Sequence, residues 1–492
     1  MRLHWPPMMP ALVGAALFAA TMVAGPTMAA GAVLGVGLAA AIYMRPVFGL
    51  GLMLLSGTAL QILGSAHIIG APVSLNKIAG AATVGVWTVR SILLRVPVTW
   101  SPQMPALFCF IFAVWASSLV SPDQAESMEG LSRYIQLALL TFMIANIAGE
   151  SERALDISLI ALTASMSLSA IIGLMEFLLP GLSIESDDPS LVQGNIGAII
   201  DRDSLEGTVV KRITGGLSEA NWFSYTLAAV VPINLYLFHR FQQRGVRCLI
   251  LLAATLQCVG IVLSFTRSAL IAMAVTIAYL VMRGRLPLKP LLVAGMLGAG
   301  GFIVWNPAGL ERVYSIAYAE QGSTPHRVYL FLGGVALVQE RPIIGFGYNQ
   351  YGPNFHRWLR TVPEVPEYVE QWERALEDRV ASGDERFEWV MPHNTVLQIW
   401  VEFGLLGIIT FGALYALMMH DLRQARRYGD PLRQLLAECL LASALGFMVC
   451  ALFGHLAMTK IVWMLAGFAA ALRRVAIAPR VAATTQPGSV LP

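Results

Sequence analysis

Charge is what this sequence has least of: Asp, Glu, Lys and Arg make up only 13% of its 492 residues, whereas a typical soluble domain is roughly a quarter charged. A water-soluble fold of that composition lacks the polar surface to cover itself. There is no Lys/Arg stripe interleaved with aromatics, and a net charge of +3 is too small to argue for nucleic acid, so that partner class is set aside. The alternating ten-residue segments of an outer-membrane barrel are missing. Cysteine is scarce. Cys109, Cys248, Cys258, Cys439 and Cys450 lie in or beside apolar blocks, without metal-ligand spacing or an external pair, and read as small hydrophobic residues.

What the sequence does have is apolar residues, 56% of the chain, in uninterrupted blocks. The blocks run to roughly 17–25 residues, enough to cross about 30 Å of hydrocarbon as helix. Every backbone N–H and C=O in that medium must be satisfied within its own segment, so the blocks have to be helices. The expected fold is all-α: a polytopic transmembrane helical bundle of about 12–14 spans, with amphipathic helices in one large outer loop. Spans are placed near 10–25, 28–44, 47–64, 73–93, 104–120, 131–148, 155–179, 218–238, 248–265, 268–282, 288–305, 394–419, 434–453 and 455–472. The first block resembles a signal peptide, with small residues near Ala29-Ala30, but apolar blocks continue at once and an uncleaved first span is preferred.

Lys/Arg bias in short loops gives orientation. The loops holding Arg90/Arg95, Arg240/Arg244/Arg247, Arg283/Arg285/Lys289 and Arg423/Arg426/Arg427/Arg433 are expected inside, with the N-terminus and the tail bearing Arg473/Arg474/Arg480. One span count puts all of them on the same face. The domain organisation that follows is N-terminal transmembrane helices over 1–179, an outer segment over 180–217 and central helices over 218–305. A large outer loop over 306–392, C-terminal helices over 393–473 and a cytoplasmic tail over 474–492, polar and expected to be disordered, complete it. Within the large loop, Glu364, Glu367, Glu370, Glu373, Glu377 and Asp378 accompany Trp358, Tyr368 and Trp372 at helix-like spacing. An amphipathic helix on the membrane surface is preferred there over a catalytic role for the acids.

Three basic or titratable residues converge on the outer face at span ends: Arg212, Arg267 in the turn Ser264-Phe265-Thr266-Arg267-Ser268, and His393 in Pro392-His393-Asn394-Thr395. Outward arginines at a membrane boundary run against the positive-inside bias and call for a reason. They either snorkel to headgroups or pair with a carboxylate such as Glu219, or they form an anion site in which two guanidinium forks hold a pyrophosphate. His393 is either an interfacial residue at a helix start or a base, since neutral imidazole can take a proton from an attacking hydroxyl. Asn394-Thr395 supplies helix-start hydrogen bonds. Glu402, about two and a half turns into that helix, should face protein rather than lipid, as structural glue or as a support to the site.

In order along the chain, Thr214-Gly215-Gly216-Leu217-Ser218-Glu219-Ala220-Asn221, Ser264-Phe265-Thr266-Arg267-Ser268-Ala269, His326-Arg327-Val328-Tyr329 with Glu340-Arg341-Pro342-Ile343-Ile344-Gly345-Phe346-Gly347, and His393-Asn394 with Glu402-Phe403-Gly404-Leu405-Leu406-Gly407 resemble signatures of the bacterial O-antigen ligase and polymerase family. The resemblance covers roughly residues 200–415. Glu219-Ala220-Asn221 stands where the family often has Asp-Pro-Asn, which leaves the role of Glu219 open. The span count is also about two above what the ligases usually show, so either two re-entrant segments count as spans here or the chain is a divergent branch.

The resemblance implies a metal-independent, inverting glycosyltransferase in the bacterial inner membrane, facing the periplasm. Its donor would be an undecaprenyl-pyrophosphate-linked glycan and its acceptor lipid A-core or a second lipid-linked glycan, with membrane lipids as surroundings and no cofactor. Arg212, Arg267 and Arg327 would bind the pyrophosphate, His393 would act as base, and Glu219, Asn221, Asn394 and Glu402 would support them. A ligase is slightly favoured over a polymerase of repeats. A transporter or flippase of a lipid-linked or anionic solute is the alternative from another class, disfavoured because charges gather at one face and no internal repeat is visible.

Overall fold

The computed structural model describes residues 35–56, 65–68, 71–179, 212–217, 219–287, 289, 323–363, 365 and 390–484. The expected spans at 10–25 and 288–305, the acidic stretch from Glu367 to Asp378 and the last residues of the tail lie outside them.

Helix α1 (Gly35–Met44) and α2 (Pro46–Ser56) are bent by 119° about Arg45. Pro46 disfavours helical backbone at the residue before it, which accounts for the break. The described parts of the spans expected at 28–44 and 47–64 therefore form a bent pair. An antiparallel hairpin follows, β1 (Ser65–Ile68) against β2 (Ala71–Ser74), with Ser65 opposite Ser74.

The remaining helices are α3 (Leu75–Leu93), α4 (Gln103–Leu119), α5 (Gln124–Ile147), α6 (Glu152–Leu178), α7 (Ala220–Arg240), α8 (Arg244–Leu263), α9 (Arg267–Met282), α10 (Ser323–Glu340), α11 (Tyr351–Leu359), α12 (Thr395–Tyr428), α13 (Pro431–Phe453) and α14 (Lys460–Thr484). Their starts are written locally. Asp123, Ser151, Asn394 and Asp430 each accept the backbone N–H three residues on, satisfying one orphan donor of α5, α6, α12 and α13. Among the described residues five helices are long and apolar enough to cross a membrane, α5, α6, α8, α12 and α13, or six with the bent pair. The sequence counts more because runs such as α4 and α9 are equally apolar but only 17 and 16 residues long.

The centre of the bundle is aromatic. Phe110, Tyr134, Phe403 and Trp463 come from α4, α5, α12 and α14, with Phe110 edge-on to Tyr134 at 5.3 Å and Tyr134 edge-on to Phe403 at 5.4 Å. A smaller core of Leu330, Leu337, Tyr351, Phe355, Leu397 and Val401 pins α10 and α11 to the first turns of α12. Trp358 belongs to this packing, its ring 5.7 Å from that of Phe355.

Ion pairs mark one end of the bundle: Arg90 with Glu150 at 3.3 Å, Arg240 with Asp156 at 2.8 Å, Arg283 with Glu438 at 3.0 Å, Arg473 with Asp421 at 3.1 Å, and Arg433 with Glu152. The arginine-bearing loops grouped by sequence thus meet there. At the opposite end α12 is broken at Gly404 (φ 65°, ψ −163°). Two rungs of an unbroken helix would run from Leu405 N–H to Val401 and from Leu406 N–H to Glu402. Those donors instead bond Pro342 and Ile343 carbonyls at 2.8 and 3.3 Å, and the abandoned carbonyls accept from Phe346 and Gly347 at 2.9 and 2.8 Å. The turn Pro342–Gly347 is in this way inserted into the helix. A Cβ on Gly404 would lie 2.2 Å from the Ile343 oxygen, and one on Gly345 2.5 Å from the Glu402 oxygen, so the glycines are what let the two backbones meet.

Candidate functional site

The site is assembled at the end of the bundle away from the ion pairs. Arg212 lies across two loops: its Nε donates to the Ser264 carbonyl at 3.0 Å, and its Nη2 donates to Asn221 Oδ1 at 2.7 Å and Thr266 Oγ1 at 3.0 Å. These bonds tie the segment before α7 to the turn before α9. Asn221 completes the link by donating from Nδ2 to Glu219. Arg267, one residue past that turn, is exposed at the first position of α9.

The Thr214-Gly215-Gly216 signature holds a carboxylate that belongs to the protein itself. Glu176, near the end of α6, accepts from Thr214 N–H at 2.8 Å, Gly215 N–H at 3.1 Å and Gly216 N–H at 3.4 Å. Gly215 and Gly216 have φ of 59° and 76°, and consecutive left-handed residues turn successive N–H groups toward one anion. Sequence reading passed over Glu176 because its partners lie nearly forty positions away.

His393 stands immediately before α12 with φ 47°, a conformation seldom taken by a non-glycine residue. It is held by its neighbours. Asn394 caps α12 through Leu397 N–H at 3.0 Å and donates to the Leu452 carbonyl at 3.3 Å. Thr395 Oγ donates to the Gly454 carbonyl at 2.6 Å and accepts from Leu456 N–H at 2.9 Å. Those two bonds bracket His455, in the turn between α13 and α14. They set the His455 ring 5.4 Å from that of His393. His455 also faces Glu219, Nε2 to Oε2 3.8 Å, and Trp222, ring to ring 5.4 Å.

Arg327, in the first turns of α10, acts electrostatically on both imidazoles. Its Nε, together with His455 Nδ1 and Trp222 Nε1, is buried without a hydrogen-bond partner among the described residues. Burial, then Arg327, then His455 hold the His393 pKa well below the ordinary imidazole value. Burial lowers that of His455 too, with Glu219 opposing and Arg327 reinforcing the shift.

Of the residues singled out from sequence, Arg212, Asn221, Glu219, Arg327, His393 and Asn394 are joined into this cluster through His455. Glu402 is not. It is buried about 13 Å along α12 from His393, where Gln398 Nε2 approaches its carboxylate at 3.4 Å and Ser117 Oγ donates to its carbonyl at 2.5 Å. It serves as glue at the α12 break. His455 was missed because the apolar run placed a span start at 455; a titratable residue in Phe453-Gly454-His455, between two spans, was the available signal.

Helices long and apolar enough to span define a multi-pass membrane protein, with imidazole, carboxylate and guanidinium groups gathered at one end. Residues 248–412 match the Wzy_C family model, O-Antigen ligase. The match spans about a third of the chain and supports glycan transfer of the ligase or polymerase type. No curated protein matches the chain. The matched stretch contains Arg267, Arg327 and His393, whereas Arg212, Glu219 and His455 lie beyond it.

Proposed function

We propose that the chain is a glycosyltransferase of the bacterial inner membrane that moves a glycan from undecaprenyl pyrophosphate to a sugar hydroxyl at the periplasmic face. The observation that carries this reading is the gathering of His393, His455 and Glu219 at the end of the bundle away from the basic loops, with Arg327 acting on both imidazoles and His393 inside the stretch matched to the O-antigen ligase family.

In the proposed reaction the acceptor hydroxyl gives its proton to neutral His393 and attacks the anomeric carbon, and the pyrophosphate leaves from the opposite side with inversion. Arg327 and Arg267 meet the charge that develops on the leaving group, the place where fixed cations lower the barrier most. Arg212 holds the turn that presents Arg267. With guanidinium groups on the pyrophosphate, the reaction needs no metal. The acceptor favoured is lipid A-core, as in a ligase.

Reconstitution with purified lipid-linked glycan, offering lipid A-core and a second lipid-linked repeat together, tests the reading. Glycan on lipid A-core is the expected product. Lengthened polyprenyl-linked chains would make the protein a polymerase, and donor crossing the bilayer without product would make it a transporter. His393→Ala should cut transfer by about 10²–10⁴-fold while donor binding persists; transfer at the wild-type rate would remove His393 from the chemistry.

A further inference from the structure

The imidazole of His393 is a poor resting place for a proton, because it is buried and has the fixed cation Arg327 beside it, with no carboxylate among the described residues to offset either. The second ring, 5.4 Å away, has what the first lacks: a carboxylate, Glu219, 3.8 Å from its Nε2. An imidazole with a carboxylate on one side and a second imidazole on the other is placed to hold a proton as imidazolium. The backbone is built to keep it there. Thr395 bonds on both sides of His455, and Thr395 lies on the same helix start as His393, so one residue fixes the spacing of the two rings.

We propose that the base of this site is an imidazole pair, in which the proton taken up at His393 is passed to His455 and held there against Glu219. The inference rests on the glycosyl-transfer reading above. The acceptor O–H bond breaks, its oxygen bonds the anomeric carbon, and the anomeric C–O bond breaks with its electron pair leaving on the pyrophosphate. The proton moves from the hydroxyl to His393, then to His455, and finally to water, leaving Glu219 ionised throughout. The charged groups acting on His455 are Glu219 at the start of α7 and Arg327 on α10, with His393 before α12. Removing the Glu219 charge therefore makes His455 a weaker base.

Two measurements on the full chain in detergent test the pair. Titration of isotope-labelled histidine, assigned with His393→Asn and His455→Asn, should show His455 titrating above His393 in wild type, and His455 moving to lower pH in Glu219→Gln. This readout needs no glycan, so it stands or falls apart from the transfer reading. Transfer assays on variants that remain monodisperse should show His455→Asn and His455→Gln about a hundredfold slower. In Glu219→Gln the acid limb of the rate profile should move to lower pH, because the proton is held less well. An unmoved limb with transfer at the wild-type rate in both His455 variants overturns the proposal, as does a His455 titration indifferent to Glu219. Absence of any transfer by wild type, with the expected titrations, would instead strike the function proposed for the site.

Discussion

Arg212 and Arg267 carry the same charge and do different work. Arg212 spends its Nε and Nη2 on the Ser264 carbonyl, Asn221 and Thr266, so its planar fork is part of the frame. Arg267 is exposed beside it. Lysine preserves charge at either position but has no fork to span two loops. Arg212→Lys is accordingly expected to destabilise the fold by about 2 kcal/mol, the loss of charge-assisted bonds with their partners left behind, seen as a lower unfolding midpoint in detergent. Arg267→Lys should keep the wild-type midpoint and lose transfer. Equal midpoints for the two variants would show that Arg212 is no frame residue. At this scale the sequence was legible wherever a polar residue stood against an apolar background, as Arg212, His393 and Asn394 do. It was illegible where the partner comes from far along the chain: Glu176 beneath the glycine turn and His455 beside His393 are identified by proximity alone.

Helix starts have local causes, and the one at Asn394 was read from its capping residue; the starts at Asp123, Ser151 and Asp430 were not, because apolar runs alone placed those spans near 131, 155 and 434. The break in α12 was not read either. Its cause is a second segment some sixty residues upstream, and the apolar run passes through Gly404 without interruption. Gly404→Ala tests the insertion: the methyl would meet the Ile343 oxygen at 2.2 Å and the residue would have to keep φ 65°. The expected result is a loss of about 2–3 kcal/mol or more from overpacking and backbone strain. Gly412→Ala, in the same helix with nothing near its added methyl, should be neutral or slightly stabilising. Equal effects on the unfolding midpoint would mean that the turn does not enter the helix.

Among the described residues, five ion pairs gather where the basic loops meet, and the ionisable groups around His393 lie at the other end. The orientation proposed here puts the ion-paired end in the cytoplasm. In a variant lacking the native cysteines, a cysteine replacing Arg244 or Arg427 should be shielded from an impermeant thiol reagent in intact cells, while one replacing Thr361 should label. The reverse pattern would put the site in the cytoplasm and end the case for a periplasmic enzyme. The frame that carries this site has a property its chemistry lacks. The four bonds joining Pro342–Gly347 to α12 run between neutral amide groups, and none of them titrates or is screened by salt. The joint should hold unchanged across the range of acidity in which His393 and His455 change state. A response of transfer to pH or salt in that range therefore has its origin elsewhere than in these four bonds.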